Sequence, residues 1–423
     1  MAATEPASTE NVRRSGPVPG MRAVTRLLIN RNYALFMGGS FLSALGGWVQ
    51  AVAIGWLVFD LTGSPFILGL TNFAQMAPLF FLGMVGGVLA DRLDRRLLLI
   101  CGLSVTAIVL AVLAAVTMTG HASVHLIVGL SLVLGLANVI VWTAWQPFIK
   151  ELVPVDRLRE AIAFNATRFN LSRVLGPAIG GAILASSGPG ACLVVTAASS
   201  VAVLGATIAV RRPRPTRASA VTPWVTSLGE GVSHVRGDPF MFRLLAVTTL
   251  FGLVVMPYAT FLPALAHDTL GLGPDGLGNL LTAAGVGAVA GAIITGMPLT
   301  GAHPRGAMAG FSAITGGASL AVAFATPTLA ASPWLAWLAL AGIGLGTVGF
   351  LTNANTVLQL RVPDALVGRV MGLWVVLNAG TNPIGSLGLG WIAEFAPLTT
   401  IFAVGAGAAF ACTAAIATIP DPD

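Results

Sequence analysis

Ten residues, Gly87-Val88-Leu89-Ala90-Asp91-Arg92-Leu93-Asp94-Arg95-Arg96, set two acids and three arginines between two long apolar runs. Such a cluster suits helix-end electrostatics and ion pairing. Asp91 at a helix end can meet the positive end of another helix dipole or pair with an arginine, either contact being worth about 1 kcal/mol. Arg168 and Arg173 stand inside a further apolar run, 158–186. A central arginine in a membrane helix costs roughly 2.5 to 3.5 kcal/mol, so each needs a watery cavity or a partner, or, for Arg168, a path for its head to the membrane surface. A buried guanidinium presents planar donors that suit anionic or oxygen-rich groups.

The other titratable residues argue against catalysis. There is no His/Asp/Glu cluster within the apolar runs and no nucleotide-binding loop, so a membrane enzyme is disfavoured and no cofactor is expected. His121 and His125 stand four apart, but without a third ligand they read as a solvated loop, and no metal site is expected. Cys101, Cys192 and Cys412 have neither metal nor redox spacing and read as small buried apolar residues. Asp60 and Glu394 lie at the ends of apolar runs and could take up a proton if burial raised their pKa; exposed loop acids are the commoner case.

The elements that hold these residues are membrane spans. The chain is 56% hydrophobic and only 9% charged, against roughly a quarter charged in soluble domains. With about 20 to 28 residues per crossing, twelve spans fit: 34–60, 65–90, 97–119, 123–149, 158–186, 190–210, 242–267, 274–300, 306–326, 332–360, 366–394 and 398–419. The basic residues of the tail, of the even-numbered loops and of the linker all fall on one side, which places both termini in the cytoplasm. The net charge of +6 therefore follows from topology and lipid attraction rather than from nucleic-acid binding. Residues 1–30 lack a signal-peptide core and read as a disordered cytoplasmic tail.

The polar stretch 211–238, rich in Pro, Arg, Ser and Thr, reads as a cytoplasmic linker between a bundle over 31–210 and another over 239–423. The halves echo each other. The segment from Trp145 to Pro154 parallels that from Ala354 to Pro363, and Asn32-Tyr33-Ala34-Leu35-Phe36 parallels Asp238-Pro239-Phe240-Met241-Phe242, the weak internal symmetry of repeat-built transporters.

On these features the chain resembles the major facilitator superfamily from Asn30 to Ile419. Gly87, Asp91, Arg92, Arg95 and Arg96 match its Gly-x-x-x-Asp-Arg-x-Gly-Arg-Arg loop, with Asp94 where most members have Gly. That departure, the Leu61-Thr62-Gly63-Ser64-Pro65 turn and the Pro363–Arg369 segment are similar to the branch of enterobactin exporters and macrolide efflux proteins. The resemblance implies an all-α integral membrane fold of two pseudo-symmetric six-helix bundles. It also implies a latch at the Gly87–Arg96 loop that holds the outward-open state, by contact of span two with span eleven.

The segment Gly176-Pro177-Ala178-Ile179-Gly180-Gly181 resembles the Gly-Pro-x-x-Gly-Gly motif of drug–proton exchangers, where Pro and Gly let the helix bend and pack closely. By the same resemblance, Gln50, Asn72, Gln75, Trp142, Gln146, Asn165, Asn355, Gln359, Trp374, Asn378 and Asn382 join Arg168 and Arg173 as cavity candidates, about half of them touching substrate. Span four has Asn138 and no arginine, and no acid lies deep in any span, so the usual proton-coupling residues are missing.

The expected function is export of a siderophore-like molecule or amphipathic drug by a monomeric secondary transporter of the bacterial inner membrane, with protons as counter-ion. Lipid or lysolipid flipping and a non-transporting receptor are the alternatives.

Overall fold

The computed structural model describes residues 29–154, 157–211, 232–297, 303–363, 366–378 and 380–418, apart from the side chains of Met84, Val88, Asp91, Arg159 and Thr326. Local sequence sets the first helices. Helix α1 (Arg31–Thr62) is capped by Asn30, whose side chain accepts from the N–H groups of Asn32 and Tyr33, and it stops at Gly63 in the left-handed conformation, φ 59°. Ser64 then caps α2 (Pro65–Arg92), with Pro65 in the first turn, where its missing N–H costs nothing. Asp94 caps α3 (Arg95–Met118) by accepting from Arg96 and Leu97. Its place in the charged loop is thus that of a helix start. Ser123 caps α4 (Val124–Leu152).

Helix α5 (Leu158–Ala209) is 52 residues long, about 78 Å if straight and far beyond a bilayer core of about 30 Å. Gly188, at φ 77° and followed by Pro189, folds it into two arms at the boundary expected between 186 and 190. Beyond the linker, α6 (Pro239–Thr269) is irregular, with π-helical turns over Phe251–Val255 and Leu265–Thr269 and a 3₁₀ segment over Met256–Phe261. The remaining helices are α7 (Pro274–Thr295), α8 (Pro304–Phe324), α9 (Pro333–Arg361), α10 (Val367–Asn378), α11 (Thr381–Ile392) and α12 (Thr399–Ala417). Among the described residues there is no strand, and ten helices are long and apolar enough to cross a membrane. Doubly folded α5 counts once there, and the short α10 and α11 not at all.

Packing repeats at a shift of 209 positions, that from Trp145 to Ala354, or of 208 at the helix starts Asn30 and Asp238. Arg96 donates to the carbonyls of Thr207 and Ile208 at the end of α5, and Arg305 donates to Ala417 O at the end of α12, 2.9 Å. A Cβ on Gly135 would press on Gln75 O, and one on Gly344 would press on Ala284 O. Asn30 Nδ2 donates to Leu152 O at 3.0 Å, while Arg361 donates to Asp238 Oδ2 at 2.9 Å. This last pair corrects the register of one sequence parallel: the cap equivalent to Asp238 is Asn30, not Asn32.

The apolar core is continuous between the halves at only one end. Far from the helix starts Asn30 and Asp238, one cluster runs through Val52 and Leu57 of α1, Leu184 of α5, Leu262 and Leu265 of α6 and Leu277 and Leu280 of α7. At the near end the cores are separate: Tyr33, Phe36, Leu99 and Phe148 in the first half, Phe240, Leu244, Phe350 and Leu358 in the second.

Candidate functional site

Three helix pairs close the far end. In the first, α5 meets α7: Gly181 and Gly278 face each other so closely that a Cβ on Gly181 would lie 2.6 Å from the Gly278 Cα, and a Cβ on Gly278 would lie 3.0 Å from Pro177 O. Gly176 and Gly180 of the same motif pack against Trp48 and Val49 of α1. The Gly-Pro segment therefore holds α5 tightly between its own half and the other one. In the second pair, α2 meets α11: Gly69 abuts Ser386 O, and Gly390 abuts Pro65 O. In the third, Gly55 of α1 meets Pro263 of α6, and the His267 ring lies edge-on to Trp56 and Phe59 with centroids 5.5 and 5.7 Å away.

Beneath this closure lies a cavity of about 180 Å³ between the halves. Its lining is mainly apolar, with Ile54, Val58 and Leu68 and, on the α7 side, Leu281, while Trp48, Thr71, Asn72, Gln75 and Thr260 add an aromatic ring and uncharged polar groups. Asn72 Nδ2 donates across the halves to Ser386 Oγ at 2.9 Å and Asn382 Oδ1 at 3.4 Å. The α6 wall, Ala259, Thr260 and Pro263, comes from the 3₁₀ segment and the turn after it. Such departures inside a helix recur at functional hinges. Here Pro257 and Pro263 are the sequence signal that could have flagged it. A larger groove of about 410 Å³ between α1 and the second arm of α5 is lined only by apolar residues such as Gly38, Gly39, Gly205 and Ala206.

Arg168 and Arg173 of α5 part company, the first buried and the second only half-buried. Arg168 turns into the first half, donating to Ser40 O and, at 2.9 Å, to Asn165 Oδ1. Arg173 lies at the interface between the halves. Its carbonyl packs on Gly285 of α7. Among the described residues no carboxylate pairs with either arginine.

Of the remaining candidates, Gln50 is buried on α1, Trp374 is buried in the near-end core of the second half, and Asn378 donates to Thr248 O within that half. Trp142 and Gln146 are exposed on α4, Trp142 by 60%. They lie one turn apart on the face between the residues that meet α1 (Trp145, Phe148) and those that meet α2 (Gly135, Val139). On α9, Gln359 Nε2 donates to Asn355 Oδ1 at 2.6 Å.

In the charged loop, Arg95 donates to Ala90 O at the end of α2 and pairs with Glu151 at 2.6 Å. Arg96 binds the end of α5, and Arg92 is exposed. Gly86 packs on Val139 of α4, whereas a Cβ added at Gly87 would meet none of the described residues of other helices within 4 Å. The Asp91 side chain, most of the linker and residues 298–302 of the matching second-half loop lie outside the described residues. Asp60 is exposed; Glu394 is exposed and engaged at the start of α2, accepting from Ser64 and Phe66.

The comparisons agree with this architecture. Residues 28–422 match the family model described as transmembrane secretion effector. The staphyloferrin A transporter of Staphylococcus aureus is 24% identical over 374 residues, covering 87% of this chain and 91% of that protein. An enterobactin exporter of Escherichia coli is 28% identical over 375 residues, covering 87% and 86%. Among solved structures, the nucleoside transporter NupG superposes with a TM-score of 0.72 at 16% identity, covering 92% of this chain and all of that one. A bacterial homologue of the iron transporter ferroportin gives 0.70 at 16% identity, covering 92% and 98%. The chain belongs to the transmembrane secretion effector family of the major facilitator superfamily, whose members are membrane transporters and not enzymes.

Proposed function

We propose that the protein exports a small molecule from the cytoplasm across the bacterial inner membrane by alternating access, as a monomer with protons as counter-ion. The observation that carries this reading is the one-sided closure: a cavity between the halves, sealed at the far end by three helix pairs, with cores that separate toward the near end. It corresponds to an inward-open carrier, with the near end and both termini in the cytoplasm. In this reading the chain crosses twelve times, α5 twice and α10 with α11 once. Residues 1–30 form the tail, 31–210 and 239–423 the two bundles, and 211–238 the linker. The open space at Gly87 supports a latch at Gly87–Arg96 that forms only when the near end closes.

The site's chemistry supports a cargo with two ends. The uncharged roof around Trp48, Asn72 and Gln75 suits a ring bearing hydroxyl or amide groups, and Arg173 suits an anionic or oxygen-rich group. A siderophore-like molecule has both, and the relatives named for staphyloferrin A and enterobactin agree with that class. The test is uptake into inside-out vesicles under an imposed pH gradient, comparing a catecholate siderophore with a lipophilic cation. Gradient-driven siderophore uptake is expected. Uptake of the cation alone would replace the cargo assignment with multidrug efflux, and uptake of neither would favour lipid flipping.

A further inference from the structure

Helix α2 starts at the far end with Ser64 as its cap, the Ser64 hydroxyl accepting from Ile67 N–H at 3.2 Å. That hydroxyl donates in turn to Glu394 Oε1, and Phe66 N–H donates to the same oxygen at 3.1 Å. Glu394 stands just past α11, in the other half of the molecule. A carboxylate from one half therefore completes the helix start of the other, where unpaired N–H groups and the helix dipole favour negative charge.

We propose that Glu394 is the outer latch of the transport cycle: its carboxylate must leave the start of α2 whenever the far end opens, and so it biases the equilibrium between the two faces. The inference rests on the alternating-access reading. The internal repeat shows that the contact belongs to one of the two equivalent interfaces and not to the other. Shifted by 209 positions, Ser64 falls on Gly273, which starts α7 with no side-chain cap, and Glu394 falls on Ala185. The glycine packing of the two interfaces is shared, whereas this carboxylate is found in one only.

The latch is also built to release. Glu394 and Phe66 N–H lie at the water-facing rim, so on opening water replaces each partner and no buried charge is stranded. The Asn72 bonds to Asn382 and Ser386 lie two turns deeper along α2 and α11, and they part after the rim does. This gives Glu394 a gating role through its ionised form, distinct from carrying the coupling proton. A carrier would have to favour far-end closure when protonated, and a protonated Glu394 loses the charge that holds the closure.

The test uses the full-length protein in nanodiscs, with spin labels at Thr119 and Thr328, exposed far-end positions related by the repeat, on a Cys101→Ser background. Double electron–electron resonance should give mainly the short, closed distance in the wild type. Glu394→Ala should raise the open-to-closed ratio about three- to thirtyfold. Glu394→Gln, which keeps an accepting oxygen but not the charge, should fall between. Ser64→Ala/Glu394→Ala should open no further than Glu394→Ala does. An unchanged ratio in Glu394→Ala, in a protein whose distances still respond to cargo, overturns the latch and leaves alternating access standing. A single closed distance in every variant, with and without cargo, overturns both.

Discussion

The α2–α11 and α5–α7 interfaces are two copies of one design with different chemistry. Gly69 and Gly390 in the first correspond to Gly278 and Gly181 in the second, and the carbonyls they press on, from Ser386 and Pro65, correspond to those of Pro177 and Pro274. The polar positions have diverged. Where α2 and α11 bring Asn72 to Asn382, α7 and α5 bring Leu281 to Arg173; where Ser64 meets Glu394, Gly273 meets Ala185. Close backbone approach is thus the common mechanism of closure. Hydrogen bonding strengthens one side, and the other side carries an arginine at the interface instead.

The glycine contacts should give the largest effect. Leucine at Gly278 would add a side chain where even a Cβ meets the Gly181 Cα at 2.6 Å. Overpacking of this kind costs about 1–3 kcal/mol or more, which corresponds to roughly a tenfold to hundredfold loss of transport. Gly278→Leu and Gly69→Leu should be alike in vesicle transport assays at equal membrane levels. Tolerance of one and not the other would break the equivalence of the two interfaces.

The diverged positions should give smaller and distinct signatures. Arg173→Gln should raise KM for an anionic cargo about tenfold, the effect of one charge-assisted contact, while leaving the far-end spin-label distances unchanged. Asn72→Leu should move both, because Asn72 lines the cavity and also bonds across the closure. Losing interhelical bonds worth about 0.6 to 2 kcal/mol should shift the distances toward open about threefold to thirtyfold, with a rise in KM beside it. Distances that move with Arg173→Gln would mean that the arginine holds the closure rather than the cargo.

Many span starts were legible because they carry a cap or a proline, as at Asn30, Ser64, Asp94, Ser123, Asp238 and Pro274; even the turn inside α5 was expected within two residues of Gly188. The family motifs were legible too, since charge and glycine spacing survive in sequence. Partner choice was not. Arg168 and Arg173 stand in the same span with the same neighbours by composition, yet one turns its side chain to Ser40 O while the backbone of the other packs on Gly285 of the other half. Glu394 likewise looked like a loop acid because its partners are 330 and 328 residues away. The break in α6 was written only in two prolines, which membrane helices often tolerate without changing their hydrogen bonding.

The repeat also differs at the near end, where the effect should be smallest and confined to stability. Asn30 holds Leu152 O through a neutral amide, while its counterpart Asp238 holds Arg361 through an ion pair. Burial opposes the Asp238 charge, but the Arg361 bond and the N–H groups of Phe240 and Met241 outweigh it and keep the carboxyl below its ordinary value. A depressed carboxylate adds stability that is full above its unfolded pKa, about 3.9, and is lost as pH falls through the lower folded value. Asp238→Asn, which makes the second half resemble the first, should therefore melt slightly below the wild type at pH 7, followed by tryptophan fluorescence in detergent. The gap should shrink below pH 4 as the wild type loses its charge. A gap that stays constant down to pH 3 would mean that the side chain matters here only as a neutral helix cap, and that the two near ends are equivalent after all.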